Sequence, residues 1–434
     1  MAIRKTAYYA NLVDGAVVDP DWTFAGATRK ERSAYTHGFH RYPAKFIPQL
    51  VDKALEDYGP GNRAALIFDP FCGSGTTLVC GLLKGYFSAG ADINPLATLI
   101  TEVKARPIDP EKLNHRLKKV RGWVGRPSPS PIIPERHEEL ILRWFPQENI
   151  YRLGHLLGNI MTVDDPEIQM FLKVCFSHIL KPASRWSNSS TKPVKDKEKR
   201  IGNAEELFLK HLDYMEAGMA AYWDALPSGL RAGHLGAYQT IPKSPWLTGW
   251  PQGRVDTIVT SPPYCTSYDY LSIHQLSIAW LDLSGTDSQA KAHYIGSNCR
   301  PNVTSTMKPN SSLARLIVRR LKDKHVHTSQ AVSQYYLDMW ETWLAMSHIL
   351  KRGGHMVIVI GDTTLKGVKI QNAAVFCEMI EDLAAMELVR VFKREIPSKL
   401  LPSTRNPKTG RFSKARPGAS QTYPTEMVLV ARKS

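Results

Sequence analysis

The chain has 434 residues, 43% of them hydrophobic, and a formal net charge of +16 from 56 lysines and arginines against 40 acids. That size and apolar content fit one large α/β domain with insertions, or two or three smaller domains. The charge points to a polyanionic partner, because Lys and Arg gain affinity by releasing phosphate counterions. With no apolar run of eighteen residues and no signal-peptide core after Met1, a membrane partner is not expected and a soluble, intracellular protein is.

Residues 1–34 read as polar and irregular, with no assignable chemistry. The segment Tyr35 to Pro48 (YTHGFHRYPAKFIP) is dense in aromatics and bases and leads into a helix near 48–58 with Pro48 in its first turn. Isolated, its histidines and tyrosines would be packing residues; clustered ahead of a nucleotide-type loop, they favour a binding role. Ala64 to Phe68 reads as the first central strand. The loop Asp69-Pro70-Phe71-Cys72-Gly73-Ser74-Gly75-Thr76-Thr77 follows it, and Leu78 to Lys84 is helical. Strand, glycine turn and helix let the backbone approach a ligand and aim helix amides at it. The loop lacks both the Gly-Lys-Ser/Thr of a P-loop and the third glycine of a dinucleotide fingerprint. A second strand, 86–91, ends at Asp92-Ile93, where an acid can hold ribose hydroxyls; the plainer role for Asp92 is a cap before Pro95.

From about 107 to 250 the pattern is helical, with Asp109-Pro110 and Asp165-Pro166 starts and one long amphipathic helix over 203–226. Within it, 181–200 is a basic, helix-poor loop. Such runs are usually solvated, but Lys181, Arg185, Trp186 and Lys192 place bases beside an aromatic, which suits nucleic acid. The apolar run Val255 to Val259 reads as a buried strand ending in Thr260-Ser261-Pro262-Pro263-Tyr264, at the sheet edge where open α/β sheets bind ligands. Two prolines stiffen the turn and remove two donors, so its carbonyls can accept from a planar amine beside the Ser261 hydroxyl and the Tyr264 ring. Residues 268–281 read as helical, 285–330 as a polar basic insert, Gln334 to Leu350 as a helix and 353–362 as a turn and buried strand. A helix over 372–385 and strands at 388–392 and 426–431 complete the sheet. Between those two strands, 393–418 is basic and carries Arg405, Arg411 and Lys414 as further nucleic-acid contacts. The six cysteines, Cys72, Cys80, Cys175, Cys265, Cys299 and Cys377, are scattered without CxxC or Cys/His spacing, so no metal or disulfide is expected.

Taken together, Asp69-Pro70-Phe71-Cys72-Gly73-Ser74-Gly75, Asp92 and Ser261-Pro262-Pro263-Tyr264 resemble the amino-group DNA methyltransferases that use S-adenosylmethionine, from about Tyr35 to Val430. The resemblance implies an α/β, Rossmann-like class I methyltransferase with a mixed seven-stranded sheet, a mainly helical insertion and basic loops. It implies an N-terminal extension (1–34), a cofactor half (35–106), a mainly helical insertion (107–250) and a catalytic half (251–434) with basic inserts at 285–330 and 393–418, in an order similar to the alpha arrangement; target recognition falls to the 107–250 insertion, with the two basic inserts as competitors for it.

By the same resemblance, His40-Arg41-Tyr42-Pro43-Ala44-Lys45 closes over the methionine end of the cofactor, with Tyr42, Pro43 and Lys45 in the site. Asp69 to Thr76 and Thr260 hold the cofactor, Asp92 its ribose, and Ile93 adds apolar surface. Ser-Pro-Pro-Tyr is associated in this family mainly with cytosine N4, which implies methylation of that amine in duplex DNA, the base swung out of the helix. Adenine N6 is the alternative; RNA methylation and a catalytically silent binding subunit remain further readings. A cytoplasmic, prokaryotic, nucleoid-associated enzyme is the implied setting; a cognate restriction endonuclease or a solitary enzyme, and the oligomeric state, are left open.

Overall fold

A computed structural model describes residues 2–43, 45–62, 64–231, 237–239, 250–265, 270–283, 294–296, 309–396, 404–405, 412–413, 420–421 and 425–434. Seven strands form the main sheet: β1 (Leu66–Asp69), β2 (Phe87–Asp92), β3 (Ala237–Gln239), β4 (Val255–Thr260), β5 (Leu350–Ile360), β6 (Met386–Glu395) and β7 (Thr425–Lys433), in the order β3-β2-β1-β4-β5-β7-β6. Strands β3 to β5 in that order run parallel, while β7 inserts antiparallel to both β5 and β6. This is the mixed seven-stranded, Rossmann-like sheet that the sequence implies. The order reverses between β1 and β4, so the loops after these two strands diverge from one carboxyl edge and frame a crevice.

The first helices are α1 (Ala2–Asp14), α2 (Arg29–Arg32), α3 (Pro48–Tyr58), α4 (Thr76–Leu83) and α5 (Pro95–Ala105). Strand β1 is buried along its whole length, which its Leu-Ile-Phe-Asp sequence permits only in a central strand covered on both faces. Asn94 caps α5 by accepting from Leu96 N at 3.1 Å, and Pro95 occupies its first turn. Residues 1–34 depart from the expected irregular stretch. Tyr9 and Val13, four apart on α1, are buried, Tyr9 donates to Glu381 Oε2 at 2.5 Å, and Trp22 is fully buried against Phe392.

Helices α6 (Pro110–Trp123), α7 (Glu138–Trp144), α8 (Gln147–Met161), α9 (Pro166–Ile179) and α10 (Ala204–Ala225) make the insertion. Asp109, Asp165 and Asn203 cap α6, α9 and α10 through their side chains. One apolar cluster runs from Leu78, Leu82 and Ile100 under the sheet into Phe171, Leu212, Met215 and Tyr222, so the insertion shares the core of the sheet. Its last described residues, 237–239, pair with β2, which places the end of the expected helical stretch in the sheet itself.

After β4 come α11 (Tyr270–Ile273), α12 (Gln275–Trp280), α13 (Ser312–Lys322), α14 (Val326–Ile349) and α15 (Asn372–Glu381). The charged run 319–325 is therefore no loose insert. It closes α13, whose Leu313, Ile317 and Leu321 are buried, and His325 caps α14. Buried Glu378 fixes the start of α13 by accepting from Ser311 Oγ, Ser312 N and Leu313 N at 2.6–3.0 Å. Among the described residues, no helix is long and apolar enough to cross a membrane.

Candidate active site

The glycine loop is assembled by side chains from three strands. Asp69, at the end of β1, is buried. Its Oδ1 accepts from Phe71 N at 3.0 Å and Thr260 Oγ1 at 2.6 Å, and its Oδ2 from Thr77 Oγ1 at 2.7 Å. Burial raises this carboxyl to about 6, against hydrogen bonds that pull the other way. Asp69 and Thr260 therefore lock the loop to the end of β4 from within, and Thr260 is fully buried.

Asp92 stands at the end of β2 and is half-buried. Its Oδ2 accepts from Gly73 N at 3.0 Å and its Oδ1 from Asn94 N at 2.8 Å, and burial lifts its carboxyl to about 6. The acid and the loop thus meet, as their spacing of 19 residues suggests. Beneath them, Thr101 Oγ1 of α5 donates to Gly73 O at 2.9 Å and the buried Lys104 ammonium donates to Ser74 O. Carbonyl and amide of one peptide point opposite ways, so the Thr101 tether turns the amide of Ser74 away from α5, while the amide of Gly75 donates back to Cys72 O at 2.7 Å. Gly73 and Gly75 sit at φ +50° and +74°, and a Cβ on Gly75 would lie 2.7 Å from Thr101. Cys72, Ser74 and Thr76 are buried under the loop; Phe71 and Ile93 are half-buried beside it.

Tyr42 lies over this loop, 3.4 Å from the Cβ position of Gly73, and its ring stacks with those of Tyr270 (ring centroids 5.9 Å) and His274 (4.9 Å). Lys45 donates to His37 O at 2.6 Å, and burial brings its amine down to about 8. His40 is held differently: its Nε2 meets Ser177 Oγ at 2.9 Å, and Ser177 donates to Ser277 at 2.8 Å, so it ties the insertion to α12.

Strand β4 delivers Ser261 to Tyr264 at the same edge, since β1 and β4 pair in register up to Phe68 and Ile258. Tyr335 donates to Pro263 O at 3.0 Å. Among the described residues nothing donates to Pro262 O. The Tyr264 ring rests on Gly361, where a Cβ would come within 2.9 Å of it, and its hydroxyl donates to Glu426 Oε1 at 3.0 Å. Arg394 holds the other oxygen of Glu426 at 3.1 Å. Burial and Glu426 push the Tyr264 phenol well above its ordinary value, so it stays protonated. Tyr335, Gly361, Arg394 and Glu426 are partners that sequence reasoning missed; the one local signal was an acid opening an apolar terminal strand.

The basic loop 181–200 is ordered differently from expectation. Trp186 is buried against Trp144, with ring centroids 5.3 Å apart, and its indole N–H reaches Ser190 O at 3.2 Å, so it packs the insertion rather than offering a face to bases. Arg185 Nη1 donates to Phe145 O at 2.5 Å, Lys181 donates to Ser190 O at 2.8 Å, and Lys192 is exposed. Arg405 lies on a two-residue strand, Thr404–Arg405; Arg411 and Lys414 lie outside the described residues.

No protein-family model matches the chain. It is 25% identical over 435 aligned positions to the type II methyltransferase M.MvaI of Kocuria varians, covering 94% of this chain and 93% of that protein. A second relative, the type II methyltransferase M.MjaII of Methanocaldococcus jannaschii, is 46% identical over 99 residues, 23% of this chain and 18% of that protein. Among solved structures, one from Thermus thermophilus, designated a DNA modification methylase and complexed with S-adenosyl-L-methionine, is 18% identical with a TM-score of 0.20, covering 43% of this chain and 51% of that one. Over nearly its whole length, then, the chain is similar to a type II methyltransferase.

Proposed function

We propose that the protein is a site-specific DNA methyltransferase that uses S-adenosylmethionine and acts on the exocyclic N4 amine of cytosine. The observation that carries the reading is one shared edge. The Asp69 lock places the positive-φ glycine loop, Asp92 and Ser261-Pro262-Pro263-Tyr264 side by side, on a chain similar end to end to a type II methyltransferase. The residues fit the cofactor: the positive-φ glycines of the Gly73-Ser74-Gly75 turn let the backbone approach a ligand closely just before the first turn of α4, and Asp92 is half-buried beside them.

When bound, S-adenosylmethionine supplies an electrophilic methyl group. The chain supplies orientation. An aromatic amine is a poor nucleophile because its lone pair is delocalised into the ring. The Ser261 hydroxyl and Pro262 carbonyl oxygens accept hydrogen bonds from its N–H groups and bias the nitrogen toward a tetrahedral, reactive geometry. Pro263 O, taken by Tyr335, fixes the turn instead. Tyr264, pinned by Glu426 and Gly361, presents a rigid aromatic wall to a base removed from the duplex. The reading for cytosine over adenine rests on Ser261 in the first position of the motif. A prokaryotic cytoplasmic setting with a cognate endonuclease belongs to the same proposal.

Ser261→Ala and Tyr264→Ala are expected to depress turnover while cofactor affinity, read by calorimetry, stays nearly intact. An equal loss of both would make the motif a structural turn.

A further inference from the structure

We propose that duplex DNA is held through its phosphates by a cationic arc running from the Tyr264 anchor across α2 to the basic loop of the helical insertion. The inference rests on the DNA-methylating reading above and adds where the duplex lies. The arc is built in steps. Arg394 pairs with Glu426 at 3.1 Å beside Tyr264, and Arg32 of α2 is close enough for its charge to act on Arg394. Arg29, one turn earlier on α2, acts likewise on Arg41, and Arg41 on Lys181 and Lys199.

Backbone bonds hold these pieces in place. Tyr214 of α10 donates to Ser33 O, directly after α2, at 3.1 Å, and His211 of α10 donates to Phe39 O, two residues before Arg41, at 2.8 Å. Lys199 donates to Lys181 O, Ser184 O and Trp186 O at 2.7, 2.8 and 2.7 Å, which makes the loop rigid. Arg29 and Arg41 are exposed. The acids nearby are engaged or few: Glu31 accepts from Thr28 N at 2.7 Å, Glu426 is paired, and Asp196 faces Lys199.

Burial first, and neighbouring like charges second, hold Arg41, Lys181 and Lys199 below their ordinary values, so these cations stand close enough to repel. An anion with evenly spaced charges relieves that repulsion, and phosphates on a duplex are such an anion. Contacts of this kind position a protein on the duplex without reading sequence. Helix α2, which has no assigned chemistry in the sequence, then becomes the bridge between the catalytic turn and the insertion.

The test is a salt series of duplex binding, read by fluorescence anisotropy on the full chain, with three proteins: the parent, an R29Q/R41Q double variant, and a K118Q/K119Q control altering two exposed lysines of α6 outside the arc. The arc predicts that the double variant flattens the plot of log affinity against log salt by about 2, roughly 0.9 for each phosphate that is no longer neutralised. The control should keep the parent slope. A parent that binds duplex with a slope the double variant keeps would overturn the arc alone. A parent that binds S-adenosylmethionine but no duplex would overturn the DNA reading and the arc with it.

Discussion

Asp69 and Asp92 show how one residue type divides into two roles at a single loop. Asp69 is surrounded by Thr77, Thr260 and the loop amide, whereas Asp92 shares its carboxylate with the Gly73 amide at the rim. Both sit near 6, raised by burial. The sign follows from that direction. An acid with a raised value binds a proton as pH falls through about 6, and a protonated carboxyl accepts hydrogen bonds poorly, so cofactor affinity is lost on the acid side and fully present above it. Calorimetry at pH 5 and pH 8 should show weaker binding at pH 5, by about tenfold for each group protonated at one unit below its value. Asp92→Ala should weaken cofactor binding at every pH; unchanged affinity would remove Asp92 from the site.

Glu426 acts through Tyr264. Glu426→Gln should lower turnover on the order of ten- to a hundredfold with little change in cofactor affinity, because it loosens the ring without touching the glycine loop. The motif residues themselves were legible because each is a short, local pattern. The partners of Tyr264 and Asp69 were not, since Glu426 lies 162 residues beyond one and Thr260 lies 191 beyond the other. Nothing in local periodicity encodes such a pair.

Among elements, the glycine loop depends on α5 as much as on its own glycines. Gly75→Ala meets both a left-handed φ, costing about 1–2 kcal/mol, and Thr101 at 2.7 Å. It should lower the melting temperature and cofactor affinity together; a variant with parental affinity would show that the loop tolerates a shift of α5. The insertion offers the converse case. Trp186→Ala should cost about 3–5 kcal/mol of stability through lost packing on Trp144, measured by denaturant unfolding. Base next to aromatic in a polar stretch gave no warning of burial, because a tryptophan folded back under a turn leaves no periodic trace. Caps and prolines, by contrast, were readable: Pro48, Asn94-Pro95, Asp109-Pro110 and Asp165-Pro166 mark helix starts where the structure has them. Helix α1 escaped because only Tyr9 and Val13 among its described side chains are buried.

Across the whole molecule, the central strands, the sequence of the two motifs and the antiparallel closing pair were all present as apolar runs separated by turn residues. What the pattern did not convey is that the insertion shares one apolar core with the sheet and returns β3 to its edge. The same shared core brings α10 against Ser33 and Phe39, next to α2 and Arg41. The most direct test of the account is to incubate the protein with S-adenosylmethionine and mixed-sequence duplex DNA, digest the product to nucleosides and identify the methylated one by mass spectrometry. The account predicts N4-methylcytosine; N6-methyladenine would contradict the assignment that rests on Ser261.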